Sequence, residues 1–94
     1  MIFEWDENKN ASNKRKHGVS FETAMLVFSD PRAVSYLDCV VDQEQRWHTI
    51  GYIDDVIILL VVHTDVELYG EEETRIISAR KASRRERAIY EANQ

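Results

Sequence analysis

Val56-Ile57-Ile58-Leu59-Leu60-Val61-Val62 is apolar at every position and rich in β-branched side chains. A run of this kind is typical of a strand with both faces buried, so we predict the central strand of a sheet over residues 56–64. The preceding Asp54-Asp55 predicts a tight hairpin to a strand over residues 46–53. The apolar run is far too short to cross a bilayer, which takes ~20 residues.

Shorter signals place the remaining elements on both sides of this strand pair. At the N-terminal end we expect a short strand over residues 2–5, a weakly periodic helix over 7–17 that ends at Gly18, and a helix after the N-cap residue Ser20. Further along the chain we expect a strand over 33–37, a polar loop over 65–73, a strand over 74–79 and a last helix over 84–92. Together they predict an α+β fold, in which a helix pair is followed by an antiparallel β-sheet of about four strands and a C-terminal helix. The length predicts one domain over residues 1–94.

The two helices with clear signals are bounded by capping residues and proline. After Ser20, one apolar stripe recurs at helical spacing and is interpreted as core packing: Phe21, Ala24, Met25 and Phe28. Asp30-Pro31 ends this helix, because the residue before proline avoids the α region. Ser83-Arg84-Arg85-Glu86 matches the capping box that starts the last helix.

Charge is distributed unevenly along the chain. The net charge is −5, yet six of the twelve Lys and Arg residues lie between Arg75 and Arg87, and four more lie at Lys9 and in 14–16. Such a cluster on an acidic protein points to a phosphate-bearing ligand or an acidic partner. The two basic ends are expected to meet in one positive face. A pI of about 5.1 argues against unselective coating of nucleic acid.

Cysteine and histidine usage limits the compartment and the chemistry. Cys39 is the only cysteine, which excludes an intrachain disulfide and fits a reducing compartment. The N-terminus lacks the basic start and apolar core of a signal peptide, so we expect a cytoplasmic protein without a membrane segment. The three histidines lack metal-ligand spacing and there is no Gly-rich phosphate loop, so neither metal nor cofactor is expected.

The strand predicted over residues 46–53 carries a pair of residues suited to phosphate chemistry. Alternation places Arg46 and His48 on one face, ~7 Å apart. Arginine grips a phosphate bidentately, and histidine moves a proton near neutral pH. A surface strand with a solvated polar face explains the same pair equally well.

The last strand and helix hold the densest group of cations. Alternation puts Arg75 and Arg80 on opposite faces unless a bulge intervenes, so they are not expected to serve one pocket. Arg80 adjoins the last helix, whose N-terminal amides favour an anion site together with nearby Lys81, Arg84 and Arg85. Arg85 lies nearest the apolar stripe of the helix and is expected to reach back over the sheet.

Three more side chains each have two explanations. Tyr90 is placed to stack on a base or bind a phosphate, or else to pack at the rim of the core. His17, which follows Lys14-Arg15-Lys16, either contacts RNA or lies at a solvated helix end. His63, late in the buried strand, is better explained as a core histidine whose hydrogen bonds are satisfied.

Motifs along nearly the whole chain match one family in order and spacing. They are Phe3-Glu-Trp-Asp-Glu7, Asn13, Lys16-His-Gly-Val-Ser-Phe-Glu22, Ala24, Val27-Phe28, Asp30-Pro31, Arg46, Ile50-Gly51, Arg75-Ile-Ile-Ser-Ala-Arg-Lys81, Arg84-Arg-Glu86 and Tyr90-Glu91. On these segments the chain resembles the BrnT toxins of bacterial type II toxin–antitoxin systems, which belong to the RelE-like group of small ribonucleases. Gln45, where the family often has Glu, and the long acidic segment 65–73 depart from the pattern.

The resemblance implies a RelE-like fold and metal-independent RNA cleavage that blocks translation. It also implies a BrnA-type antitoxin with a ribbon-helix-helix DNA-binding domain, so promoter DNA is expected only through the complex. In the hypothetical mechanism the ribose 2′-OH attacks the adjacent phosphate. The residues assigned to charge stabilisation are Arg80, Arg46 and Arg85, supported by Lys81 and Arg75; the acid–base candidates are His48, His17, Glu22 and Tyr90; the RNA-binding candidates are Arg75, Lys81, Arg84, Lys16 and His17.

Two other functions remain open. In a non-catalytic binding module, the basic C-terminal patch would bind an acidic partner protein or nucleic acid, and only metal-free RNA cleavage separates this from the ribonuclease. DNA binding by the chain alone is opposed by the net charge of −5 and by the lack of a helix-turn-helix pattern.

Overall fold

The structure, a computed structural model, describes residues 1–54 and 56–94. Its elements, in chain order, are β1 Ile2–Glu4, α1 Glu7–His17, α2 Phe21–Ala24, a 3₁₀ segment Met25–Ser29, β2 Val34–Val41, β3 Glu44–Tyr52, β4 Ile58–Leu68, β5 Glu71–Lys81 and α3 Arg84–Ala92. The predicted α+β class is confirmed, as are the bounds of the first and last helices. No helix among the described residues is long and apolar enough to span a membrane.

The five strands form one mixed sheet in the order β1-β5-β4-β3-β2. β4, which holds most of the apolar run, is central as predicted, and its residues Leu59, Leu60 and Val61 are at most 1% exposed. The prediction of about four antiparallel strands was incomplete, because β1 joins the sheet parallel to β5. A three-residue strand carries too little alternation to reveal its partner.

Residues 65–73, predicted as a polar loop, form the outer half of a long β4–β5 hairpin. Leu68 pairs with Glu71, so the connection is only Tyr69-Gly70, with φ of 54° and 79°. Positive φ at both central residues is what a two-residue type I′ hairpin turn requires. The loop prediction was wrong because acidic side chains on a solvated strand have the same composition as a loop.

The predicted Asp54-Asp55 turn is only partly visible, because Asp55 lies outside the described residues. Asp54 accepts the N–H groups of Val56 and Ile57 through Oδ1, both at 3.0 Å. Tyr52 pairs antiparallel with Ile58, which confirms the predicted partnership of the two strands. β3 ends at Tyr52 and β4 begins at Ile58, and the Ile53 N–H donates to the Ile57 carbonyl at 3.0 Å.

Helices cover both faces of the sheet. On one face, an apolar cluster lies between the strands and α1, α2 and the 3₁₀ segment; it contains Phe21, Ala24, Val27, Leu59, Val61, Ile76 and Ala79. On the other face, a smaller cluster contains Ile50, Leu60 and Tyr90 of α3. The sheet is therefore the middle layer of three.

The helix predicted after Ser20 changes type after one turn. Its N-cap is confirmed, since the Ser20 Oγ accepts the Thr23 N–H at 3.1 Å. α2 then gives way to the 3₁₀ segment, which has three residues per turn. That spacing turns Phe21, Ala24 and Val27 into the core, each 0% exposed. The predicted stripe, drawn at α-helical spacing, therefore missed Val27.

Two asparagines hold the polar helix α1 against the rest of the protein. The Asn10 Oδ1 accepts the Phe21 N–H at 2.8 Å. The Asn13 Nδ2 donates to the Ala79 carbonyl at 2.8 Å, and its Oδ1 accepts the Ala79 N–H at 3.3 Å. Ala79 lies beyond the end of β1, so Asn13 occupies the hydrogen-bonding edge of β5 that β1 leaves free. α1 is thus held by buried hydrogen bonds rather than by an apolar stripe.

Candidate active site

The face of the sheet that carries α3 has a polar half beyond the helix. The apolar side chains of Ile50 and Leu60 lie with Tyr90 at the helix. Away from them, the strands and the first turn of α3 bring together six side chains, called the polar cluster below: Tyr36, Asp38, Arg46, His48, Arg80 and Glu86. The cluster joins cations, carboxylates, an imidazole and a phenol on one open surface.

Arg80 and Glu86 form a bidentate ion pair that fastens α3 to β5. The Arg80 Nη1 and Nη2 atoms lie 2.7 and 2.9 Å from the two carboxylate oxygens of Glu86. Hydrogen bonding to Arg80 is the main cause that lowers the pKa of Glu86 to about 2. The Ser83 N–H also donates to this carboxylate, as part of the confirmed capping box. Arg80 is therefore fixed at the edge of the cluster with part of its charge already matched.

Arg46 is half-buried on the same face of the sheet, and its charge is not neutralised by an ion pair as the charge of Arg80 is. Its Nε atom is buried and has no hydrogen-bond partner among the described residues. None of the ion pairs within residues 1–54 and 56–94 involves its guanidinium group. A partly desolvated cation without a counter-charge favours a bound anion. Arg46 is therefore the candidate in the cluster that its surroundings best suit to bind an anion.

His48 lies between a tyrosine and an aspartate of the neighbouring strand β2. Its Nδ1 atom is 3.2 Å from the Tyr36 Oη, and the two rings meet edge-on. Its Nε2 atom is 3.4 Å from the Asp38 Oδ2. Arg46 and His48 share this face, as the alternation of β3 predicts. The imidazole thus has a proton donor or acceptor at each nitrogen.

A bulge in β2 aims Asp38 at His48. The β2–β3 register shifts at Asp38, which is left without a partner in β3. Bulges commonly redirect a side chain beside a functional site. Hydrogen bonding to Asp38 also raises the pKa of the neighbouring Cys39 thiol, which disfavours a reactive thiolate at that position.

A second bulge, in β5, changes the predicted relation between Arg75 and Arg80. The β4–β5 register shifts at Ile77, which has no partner in β4. The two arginines, which strict alternation puts on opposite faces, therefore share the face that carries α3. Arg75 still lies roughly 13 Å away along the strand and forms an ion pair with Glu4 of β1, so it is outside the polar cluster.

The other predicted cations lie around the cluster rather than in it. They are Lys81, Arg84 and Arg85 at the end of β5 and the start of α3, and Lys16 and His17 in the last turn of α1. Arg85, expected to reach back over the sheet, is exposed to solvent instead. Asn13 anchors the C-terminal half of α1 to β5 beside Arg80. That contact brings α1 to β5, and the single positive face expected from the two basic segments stays a prediction.

Tyr90 and Glu22, two of the acid–base candidates, lie away from the polar cluster. Tyr90 is 4% exposed, and its hydroxyl donates to the Asp30 Oδ2 at 2.6 Å. Burial, followed by that hydrogen bond, raises the pKa of Tyr90 and keeps the phenol protonated. Glu22 accepts a hydrogen bond from Asn10 of α1, on the opposite side of the sheet. Tyr90 therefore has the core-packing position that was its alternative explanation.

Tyr36 and Asp38 were not singled out from the sequence. Tyr36 lies opposite His48 in the β2–β3 ladder, so its place depends on the register of that hairpin. The turn is Asp42-Gln43, with φ of 49° and 67°. These residues are not the Asn-Gly or Asp-Gly pair that announces a type I′ turn. A regular hairpin centred on this turn would pair Tyr36 with Thr49, and only the bulge at Asp38 moves Tyr36 opposite His48.

His63 belongs to a buried hydrogen-bond chain on the other face of the sheet. Its Nε2 and Nδ1 atoms lie 2.6 Å from the Thr49 Oγ1 and 2.9 Å from the Asp65 Oδ1. Burial lowers the pKa of His63 although Asp65 acts in the opposite direction. The interpretation as a satisfied core histidine is confirmed. Among the described residues, no three His, Cys, Asp or Glu side chains are grouped as metal ligands would be.

The neutral state of His63 should make stability depend on pH. Unfolded histidine binds a proton with a pKa of about 6.5, whereas the folded protein resists protonation of His63. The contribution is therefore complete above about pH 6.5 and is lost as the pH falls below it, by at most ~1.4 kcal/mol per pH unit. Urea unfolding between about pH 7.5 and 5 measures this slope, and Glu86 stays ionised in that range because its pKa is about 2.

The control for this slope is the half-exposed His17. We expect His63→Gln to flatten the slope and His17→Gln to keep it. Equal slopes in the wild type and both variants would contradict the assignment to His63.

Comparisons with known proteins agree on one family. A family model described as the ribonuclease toxin BrnT of a type II toxin–antitoxin system matches residues 5–86, a range that includes the whole polar cluster. The chain is also similar to the crystal structure of the Brucella abortus ribonuclease toxin BrnT, with 28% sequence identity and a TM-score of 0.61. That likeness covers 89% of this chain and 100% of the Brucella chain. No curated protein matches the sequence.

Proposed function

Because the chain belongs to the BrnT family of ribonuclease toxins from type II toxin–antitoxin systems, we propose that it is a metal-independent endoribonuclease whose RNA cleavage inhibits translation. The observation that carries the proposal is Arg46, whose buried Nε has no partner among the described residues and which shares a strand face with His48. A cation that lacks a counter-charge and a nearby acid–base group are the two elements that phosphodiester cleavage needs.

In the proposed reaction the ribose 2′-oxygen bonds to the adjacent phosphorus and the bond from phosphorus to the 5′-oxygen breaks. The products are a 2′,3′-cyclic phosphate and a 5′-hydroxyl. Arg46 and Arg80 stabilise the charge that grows on the phosphoryl oxygens, an effect worth ~10²–10³-fold per donor. Lys81 and Arg85, at the end of β5 and the start of α3, support this role, whereas Arg75 is paired with Glu4 and lies too far away to do so. His48 is the acid–base candidate that the geometry favours, and such groups contribute ~10²–10⁴-fold.

The exposed cations around the cluster are proposed to hold the RNA strand. Lys81 and Arg84 continue the basic surface past Arg80, while Lys16 and His17 extend it from the neighbouring edge of the sheet. Contacts of this kind bind the phosphate backbone without reading sequence, and salt weakens them. The substrate is thus RNA, either free or on the ribosome.

The family suggests the setting in which the enzyme acts. We propose a cytoplasmic toxin whose residues 1–94 form a single RelE-like domain. Its partner is a BrnA-type antitoxin with a ribbon-helix-helix DNA-binding domain, which neutralises the toxin and brings the complex to promoter DNA. The resemblance and the match to a type II toxin family support this setting.

The test of the proposed activity is cleavage of end-labelled RNA by the purified protein in excess EDTA. We expect cleavage that persists without metal and leaves 2′,3′-cyclic phosphate and 5′-hydroxyl ends. An Arg46→Ala variant purified in parallel separates this activity from contaminating ribonuclease. Cleavage that requires an added metal would contradict the proposed mechanism.

One observation favours the alternative of a non-catalytic binding module. The donor fork of Arg80 is occupied by Glu86, so this arginine has a structural role in addition to any contact with phosphate. If the protein is such a binding module, its basic surface binds an acidic protein or nucleic acid without cleaving it. If free RNA is not cut, the same assay with translating ribosomes decides between a ribosome-dependent enzyme and a binding module.

A further inference from the structure

We propose that Tyr36 is a catalytic residue of the polar cluster and that His48 and Asp38 form the proton relay behind it. This inference rests on the proposed ribonuclease function and extends it to two residues outside the motifs that the chain shares with its family. The relay runs from the open surface of the sheet to the bulge in β2.

The distances and the donor capacity of each group define the direction of the relay. Asp38 is a carboxylate, which only accepts hydrogen bonds. The His48 Nε2, 3.4 Å from it, therefore carries the hydrogen when the two groups interact. In neutral His48, Nδ1 is then the acceptor, and the Tyr36 hydroxyl at 3.2 Å is its donor. One tautomer thus fits the hydrogen bond to Tyr36 at Nδ1 and the charge contact with Asp38 at Nε2.

Tyr36 lies on the sheet face that also carries the two phosphate-binding arginines, Arg46 and Arg80. Burial and the Glu86 carboxylate raise the pKa of the Tyr36 phenol, whereas the charge of Arg80 acts in the opposite direction. His48 is two residues from Arg46 on the same strand face. A phosphate held by Arg46 and Arg80 would therefore lie on the same face of the sheet as Tyr36 and His48.

The proton step balances without any further reactant except water. As the 2′-oxygen bonds to phosphorus, its proton passes to the Tyr36 oxygen while the Tyr36 proton passes to the His48 Nδ1. Asp38 stabilises the imidazolium that results. The 5′-oxygen leaves with its bonding electron pair and takes a proton from water. His48 then returns its proton to solvent, and all three residues regain their starting state.

Tyr36→Phe tests the catalytic residue, and Tyr52→Phe is its matched control. Tyr52 lies on the same strand face as His48 but packs against Tyr90, away from the cluster. On the substrate that the wild type cleaves, we expect Tyr36→Phe to lower kcat by ~10²-fold or more and to leave KM within about twofold. Tyr52→Phe should keep kcat within about twofold. Thermal unfolding of both variants checks that they are folded.

Asp38→Asn tests the positioning residue, with Asp42→Asn as the control on the same hairpin. We expect Asp38→Asn to lower kcat on the order of tenfold or more with KM unchanged, because the imidazolium loses its counter-charge but the RNA keeps its arginines. Asp38→Glu should recover part of the rate, which a purely structural role would not predict.

The outcomes separate this inference from the proposed function. A folded Tyr36→Phe variant that cleaves RNA within about twofold of the wild-type rate would overturn the relay and leave the ribonuclease intact. A wild type that cleaves neither free RNA nor RNA on translating ribosomes would overturn the proposed function, and the relay with it. Loss of kcat in Tyr36→Phe and Asp38→Asn, but in neither control, is the result that supports it.

Discussion

Arg46→Ala is expected to lower RNA cleavage by ~10²–10³-fold. The physical reason is that Arg46 is the cluster's cation without a counter-charge in the described structure, with an Nε that has no hydrogen-bond partner. A charge held in a partly water-excluded position stabilises a developing oxyanion more strongly than a solvated one does. Its removal also relieves an unsatisfied buried atom, so the folded protein should lose little stability.

The measurement is single-turnover cleavage of end-labelled RNA by Arg46→Ala, with Arg32→Ala as the matched control. Arg32 is exposed and follows Pro31, next to Asp30 at the other end of the sheet. We expect the control to cleave at the wild-type rate. Thermal unfolding shows whether any loss reflects folding instead. Unchanged cleavage in Arg46→Ala and also in Arg80→Ala would remove both arginines from the mechanism.

Local signals predicted the elements that local physics determines. The capping box of Ser83 and Glu86 and the αL position of Gly18 each fix a helix end through contacts within a few residues. The apolar run of β4 likewise reports its own burial on both faces. Elements of this kind are predictable because no distant part of the chain is needed to define them.

The architecture of the site is less predictable because it depends on two bulges. The extra residue Asp38 and the extra residue Ile77 each reverse the face assignments of the residues that follow them. Strict alternation therefore predicted correctly that Arg46 and His48 share a face, because this part of β3 is regular. It wrongly put Arg75 and Arg80 on opposite faces, because of the bulge at Ile77. It also gave no reason to place Tyr36 beside His48, since that contact requires the register of a hairpin without a glycine turn.

Helix α1 shows a third limit, because its packing is polar. Its eleven residues carry no apolar stripe, and its two buried side chains are Asn10 and Asn13. Amphipathic periodicity detects helices that bury apolar surface. It cannot detect a helix whose asparagines replace water as hydrogen-bond partners of buried backbone groups. The resemblance to the family supported this helix, and the hydrogen bonds explain how it is held.

Asn13→Ala is therefore expected to destabilise the protein by about 2–4 kcal/mol, although alanine is the better helix former. The change leaves the Ala79 N–H and carbonyl and the Val19 carbonyl without their partner, and each unsatisfied buried group costs ~1–3 kcal/mol. Urea unfolding of Asn13→Ala beside Asn8→Ala measures this cost, because Asn8 is exposed on the same helix. The control should change stability by less than about 0.5 kcal/mol.

Equal losses in the two variants would show that α1 is held by something other than Asn13. A larger loss in Asn13→Ala, with weaker RNA binding, would connect the polar docking of α1 to function, since Lys16 and His17 lie in the last turn of that helix.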